Sequence, residues 1–334
     1  MTNINLEDVE IKRMNQQAEI YSKKIQKVID ELGRVIVGQN KTIERIIISV
    51  ISDGHILLEG VPGLAKTLII KTLAETLDVN FCRIQFTPDL LPADITGTKI
   101  YDHKSMNFST VKGPIFANII LADEVNRSPP KVQSALLEAM QEYQVTISGD
   151  TKKLSKPFLV LATQNPIETE GTYMLPEAQV DRFMFKLLID YPDKSEEKRI
   201  IERMTTGTDI AVAKVISPKD IMSMQKFCRK IYADEKVRDY VVDIVDCTRH
   251  PEKYGLDING FIEYGASPRA SIWLIVAAKA KAMLMGRGYI TPEDVQDIAY
   301  DVLRHRIILS FEAEAEETTT DEIIRRILNT IKVP

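Results

Sequence analysis

Residues 60–67 read GVPGLAKT, a run of small residues closed by a lysine and a threonine. That order suits a loop wrapped around a polyphosphate, whose full pattern is Gly-x-x-x-x-Gly-Lys-Ser/Thr. Gly60, Lys66 and Thr67 meet the pattern, whereas Ala65 stands where its second glycine belongs. The candidate nucleotide-binding segment is therefore Gly60, Val61, Pro62, Gly63, Leu64, Ala65, Lys66, Thr67 and Leu68. Loop N–H groups and a following helix N-terminus can receive phosphate oxygens, the Lys66 ammonium can reach the outer phosphates, and the Thr67 hydroxyl can bind Mg²⁺. The extra methyl of Ala65 is tolerated at a right-handed helical backbone and costs more at positive φ.

Two further stretches place polar residues at the ends of apolar runs. IILADE (119–124) delivers Asp123 and Glu124, of which Asp123 suits Mg²⁺ through its water shell and Glu124 suits a base that polarises water for attack on a γ-phosphate. FLVLATQN (158–165) ends in Asn165, whose amide can both donate and accept a hydrogen bond and so orient such a water. An Asn–Pro turn is the plainer account of Asn165.

These side chains need a scaffold. HILLE (55–59) reads as a buried strand before the loop, and 66–77 as the helix after it. Further strands are expected at 80–86, 118–124, 157–163 and 184–189, with helices between several of them, which implies a parallel α/β sheet covered on both faces. Residues 6–32 form an opening helix with Ile20, Ile25, Val28 and Leu32 on one side and Gly33 as its stop; a second helix follows VGQ. Segments 95–113 and 143–157 read as inserted β-hairpins, the second turning at Ser148–Gly149–Asp150. Beyond DYPDK (190–194) strand signals largely vanish, and SPKD (217–220), SPRA (267–270) and TPED (291–294) each offer a Ser or Thr cap before Pro. The expected division is thus 1–190 and a helical domain over 191–334.

Composition narrows the class. The 334 residues are 44% hydrophobic and carry a net charge of −5, with no long basic run, so nucleic acid is not the expected partner. No apolar run has membrane-spanning length and the N-terminus is polar, so a cytoplasmic location is expected. Cys82, Cys228 and Cys247, like the four histidines, are too scattered for a zinc site and read as reduced thiols. The acidic FEAEAEE (311–317) reads as a solvated face.

GVPGLAKT, ILADEVNRSPPKVQSALLEAMQE, ATQNPIETEGTYMLPEAQVDRF and GASPRA, in this order and with the ending VLRHRIILSFEAEAE, resemble a MoxR-family AAA+ ATPase over nearly the whole chain. The runs 123–142 and 164–183 are specific to that family, while the phosphate loop is shared by many NTPases, and Ala before the lysine is a variant that active members resemble. The resemblance implies an AAA+ core with a smaller all-α lid, ATP and Mg²⁺ as ligands, and hydrolysis to ADP and phosphate. Lys66 and Thr67 would contact phosphate and Mg²⁺, Asp123 and Glu124 would support the metal and activate water, and Asn165 would be a sensor. Val37 and Gly38 of VGQ would lie along adenine, although a turn explains Gly38 equally well. Arg269 would be a second sensor reaching the γ-phosphate of its own subunit. Arg182 would be the arginine finger given to a neighbour, with Arg127 as the other candidate. A finger in trans implies a ring, and the family suggests a hexamer acting as a chaperone-like remodelling ATPase on client proteins, including those with von Willebrand factor A domains. The hairpins are candidate client contacts or ring packing elements. A magnesium-chelatase-like or nucleic-acid motor subunit and a non-hydrolysing nucleotide-gated scaffold are the alternative readings.

Overall fold

A computed structural model describes residues 6–61, 63–104, 106–165, 171–205, 210–258 and 260–334. The chain opens with two helices, α1 (Leu6–Val35) and α2 (Asn40–Ser52), then β1 (Ile56–Glu59) and α3 (Lys66–Thr76) on either side of the phosphate-type loop. There follow β2 (Phe81–Gln85), α4 (Pro92–Thr96), the hairpin β3 (Gly97–Asp102) and β4 (Asn107–Lys112), β5 (Ile119–Asp123) and α5 (Pro130–Glu142). The hairpin β6 (Gln144–Ile147) and β7 (Asp150–Lys153) precedes β8 (Leu159–Gln164), α6 (Glu177–Val180) and β9 (Phe185–Leu188). Thereafter come α7 (Lys194–Thr205), α8 (Pro218–Cys228), α9 (Glu235–Cys247), β10 (Ile262–Tyr264), α10 (Pro268–Leu284), α11 (Pro292–Leu303), β11 (Ile308–Leu309), α12 (Phe311–Ala315) and α13 (Thr320–Thr330).

Five strands form one parallel sheet in the order β2-β5-β8-β1-β9. Successive strand side chains point to opposite faces, and both faces are buried here. Ile56, Leu58, Ile119, Leu121, Leu159 and Leu161 join the core shared with α1–α3 and the later helices. Leu57, Ile120, Ala122, Val160 and Ala162 join a second core with Val132 and Leu136 of α5. This two-sided burial explains why the central strands β5, β8 and β1 read as nearly continuous apolar runs, whereas the edge strand β2 carries Arg83 and Gln85. The register sets Glu59 opposite Gln164 and Gln85 opposite Asp123, so the carboxyl ends of these strands finish nearly level.

Both hairpins form where the sequence places them. In the second, Ser148 and Gly149 take φ of 47° and 87°, the two positive values of a tight two-residue turn. Ser217, Ser267 and Thr291 sit at the N-caps of α8, α10 and α11, and Asp220 and Asp294 return hydrogen bonds to the caps of their helices.

The opening helix departs from expectation. It continues through Gly33 to Val35, and Ile20 is exposed while Ile25, Val28 and Leu32 are buried. Glycine costs a helix only about 1 kcal/mol, and packing of the following residues outweighs it. The apolar faces of α1 and α2 share one core with α8, α10 and α11. Within that packing the buried Arg45 donates from Nε to Asp301 (2.7 Å) and from Nη1 to Asp297 (3.0 Å), tying α2 to α11. No helix among the described residues is long and apolar enough to cross a membrane.

Candidate active site

The loop after β1 is shaped by a close approach and a left-handed residue. A Cβ on Gly60 would stand 2.7 Å from the carbonyl oxygen of Ile189, so only glycine fits there. Ala65 adopts φ 54°, ψ 22° as the N-cap residue of α3. This left-handed conformation is the costlier one for alanine, a penalty of roughly 1–2 kcal/mol relative to a right-handed residue. Lys66 then opens α3, and its ammonium donates to the Gly60 carbonyl. Burial pulls the Lys66 pKa down, while the charges of Asp123 and Glu124 oppose that shift. Pro62 lies outside the described residues.

At the end of β5 the two carboxylates are held by different partners. Asp123 accepts Arg83 Nε and Nη2 on Oδ2 at 3.0 and 2.6 Å and the Thr163 hydroxyl on Oδ1 at 2.6 Å. Glu124 accepts Arg127 Nη1 at 2.8 Å and Gln85 Nε2 at 2.7 Å, both on Oε2. Gln85 in turn accepts Arg83 Nη2 at 2.6 Å, so β2 supplies a continuous polar chain alongside both acids. Glu124 itself sits at φ 56°, ψ 49°, an uncommon backbone for a non-glycine residue.

These groups converge on one cavity of about 650 Å³ at the carboxyl edge of the sheet. Gly60, Gly63, Leu64, Ala65, Lys66, Thr67 and Leu68 line it together with Asp123, Glu124 and the buried Asn165. Val37 lines its apolar end with Val35, Ile36, Pro192 and Ile200. The donor set fits a nucleotide with a divalent cation: a lysine and a helix N-terminus for phosphate, a hydroxyl and a carboxylate for a water-coordinated Mg²⁺, and an apolar wall for a base.

Other expected residues lie elsewhere. Gly38 is in a positive-φ turn (69°) packed against the Glu196 carboxylate, and Val61 packs on the core. Arg182 and Arg269 are not among the described residues lining the cavity. Arg182 follows α6 with Nε buried and without a hydrogen-bond partner among the described residues, and Arg269 donates to Asp181 Oδ2 at 3.2 Å. Arg127, the other finger candidate, is drawn onto Glu124 of its own chain. Sequence reasoning missed Arg83, Gln85 and Thr163, although a polar pair at i and i+2 near the end of β2 was the available signal. Nothing local marks Arg203 and Ile200, which reach the cavity from α7.

The comparisons agree with this architecture. Residues 55–185 match the model of the ATPase family associated with various cellular activities (AAA), and residues 257–327 match an AAA lid domain. The chain is 47% identical to Chaperone MoxR1 of Mycobacterium tuberculosis, over 95% of this chain and 84% of that one. It is 31% identical to Protein MoxR of Paracoccus denitrificans, over 91% of this chain and 94% of that one. A crystal structure from Cytophaga hutchinsonii superposes with a TM-score of 0.92 at 52% identity, covering 97% of this chain and 99% of the other. The parallel sheet, phosphate loop and helical lid define an AAA+ nucleotide-binding protein. The chain belongs to the MoxR family of chaperone-like AAA+ ATPases.

Proposed function

We propose that this protein hydrolyses ATP with Mg²⁺ in a ring, probing and remodelling a client protein through nucleotide-driven changes between a core (1–190) and a lid (191–334). The observation that carries the reading is the convergence of Lys66, Thr67, Asp123, Glu124 and Asn165 on one cavity from three adjacent strands. Lys66 binds the outer phosphates, and Thr67 with Asp123 holds Mg²⁺, which neutralises charge on the phosphates when bound. Glu124 polarises the attacking water and Asn165 orients it. Val37, with the apolar wall beside it, packs along the base.

Arg182 is the finger given to a neighbouring subunit, and Arg269 is the sensor for its own site. The pairing of Arg127 with Glu124 at 2.8 Å supports Arg182 over Arg127, because Arg127 already serves its own catalytic carboxylate. Site completion between subunits favours a hexameric ring in the cytoplasm, with a client such as a von Willebrand factor A domain protein. Mg²⁺-ATP turnover per subunit, measured across a wide protein concentration range, tests the reading. Turnover that rises steeply until a ring forms supports it; absence of turnover at every concentration overturns it in favour of a nucleotide-gated scaffold.

A further inference from the structure

Asp181 precedes the finger candidate Arg182 and gathers donors from the distant C-terminal half of the chain. Its Oδ1 accepts Arg306 Nε at 2.8 Å, its Oδ2 accepts Arg269 Nη1 at 3.2 Å, and the Ser267 hydroxyl lies 3.2 and 3.0 Å from the two oxygens. Arg306 is buried, and its Nη2 donates to the backbone carbonyls of both Asp181 and Phe183, the residues flanking Arg182. Its Nη1 continues to the carbonyl of Met184, and His305 Nε2 bonds Phe183 as well. The backbone that carries Arg182 is thus clamped by His305 and Arg306, while Ser267, Arg269 and Arg306 meet on the Asp181 carboxylate beside it.

We infer that Asp181 is a positioning residue for the finger, and that it couples Arg182, which serves a neighbour's ATP, to Arg269, which serves its own. The inference rests on the finger and sensor roles proposed above. A single carboxylate answers two guanidiniums and a hydroxyl, so any change in the engagement of Arg269 alters how tightly the same carboxylate holds Arg306 and, through it, the peptide groups on either side of Arg182. An arginine finger works only when its guanidinium is held to within a fraction of an ångström, and a misplacement of about 1 Å from a distant change costs on the order of a hundredfold in rate. Asp181 touches neither nucleotide nor water in this scheme and acts through its neighbours.

Asp181→Asn keeps the shape and removes the charge. In the full-length protein it is expected to lower kcat about ten- to a hundredfold while KM for ATP stays within about threefold. Co-expressed mixed assemblies with Glu124→Gln provide the discriminating readout, because the hydrolysis-dead subunit supplies an intact finger to the Asp181→Asn site. Restored turnover in mixtures supports the inference; an unaltered kcat, or a loss that mixing does not restore, overturns it. In a double-mutant cycle, Asp181→Asn adds no further loss to Arg182→Ala if it acts through that residue, and an additive loss overturns it. Should Asp181→Asn fail to fold, Ser267→Ala replaces it in the same cycle, with a smaller loss that vanishes in the Arg182→Ala background. An Arg182→Ala variant that mixing cannot rescue identifies failure of the finger assignment itself, separately from the role of Asp181.

Discussion

Thr163 donates its hydroxyl to Asp123 at 2.6 Å and accepts the backbone N–H of Glu124 at 2.8 Å, so one side chain on β8 braces both acidic residues at the end of β5. Thr163→Val preserves shape and removes the hydroxyl, leaving two polar groups without their partner. The expected results are a stability loss of about 1–2 kcal/mol and a kcat about tenfold or more below wild type, read by thermal unfolding and ATP turnover. Thr163→Ser should restore most of both. A Val variant with wild-type kcat would show that Asp123 and Glu124 need no support from β8.

Glu124→Gln should bind nucleotide within about threefold of wild type, yet lose at least about 10²-fold in turnover, because the amide keeps the shape without the base. Nucleotide binding by fluorescence and phosphate release separate the two effects. Turnover surviving in this variant would place the base elsewhere.

Ala65 at φ 54° is the position where the loop departs from the glycine pattern. Ala65→Gly relieves left-handed strain and adds unfolded-chain entropy, so stability should stay within about 1 kcal/mol of wild type and nucleotide affinity should be retained. Ala65→Val puts a β-branched residue in a conformation it strongly disfavours, and affinity should fall more than about tenfold. Equal binding by both variants, measured by titration calorimetry, would refute a strained loop at this position.

His55 is buried immediately before β1, with Nδ1 accepting the Val160 N–H and Nε2 bonded to the Met140 carbonyl, each at 3.0 Å. Burial pulls its pKa from 6.5 to about 4, and burial likewise lowers that of His305. A histidine whose folded value lies below its unfolded one stabilises in its neutral form. That contribution is complete above about pH 6.5 and is lost as pH falls toward 4, about 3 kcal/mol for His55. The hydrogen-bonded Asp220, held at about 2, acts in a more acid window, below 3.8. Melting temperatures between pH 7.5 and 5 should therefore fall, with a shallower slope in His55→Asn. Parallel slopes would remove His55 from the acid response.

The parallel sheet was legible in the sequence because its central strands β1, β5 and β8 bury both faces and so appear as nearly unbroken apolar runs. Lys66, Thr67, Asp123, Glu124 and Asn165 were legible for a related reason: each follows such a run, and parallel strands present the same end. Helix starts at Ser217, Ser267 and Thr291 were equally plain, since a cap and its proline act within one turn. The end of α1 was not, because its last turn is carried by packing that local propensity does not contain.

What the sequence by itself determined was therefore the nature of the elements and the chemistry at their ends, both products of interactions between near neighbours. Only the tertiary structure decided that Thr163 would hold Asp123, that Arg83 would reach it from β2, and that Asp181 would meet Ser267, Arg269 and Arg306 from the far half of the chain. Those contacts depend on strand order and on how helices pack across the shared core. Charged side chains are long enough to choose among several partners, and the choice is made by which of them the fold brings within about 3 Å.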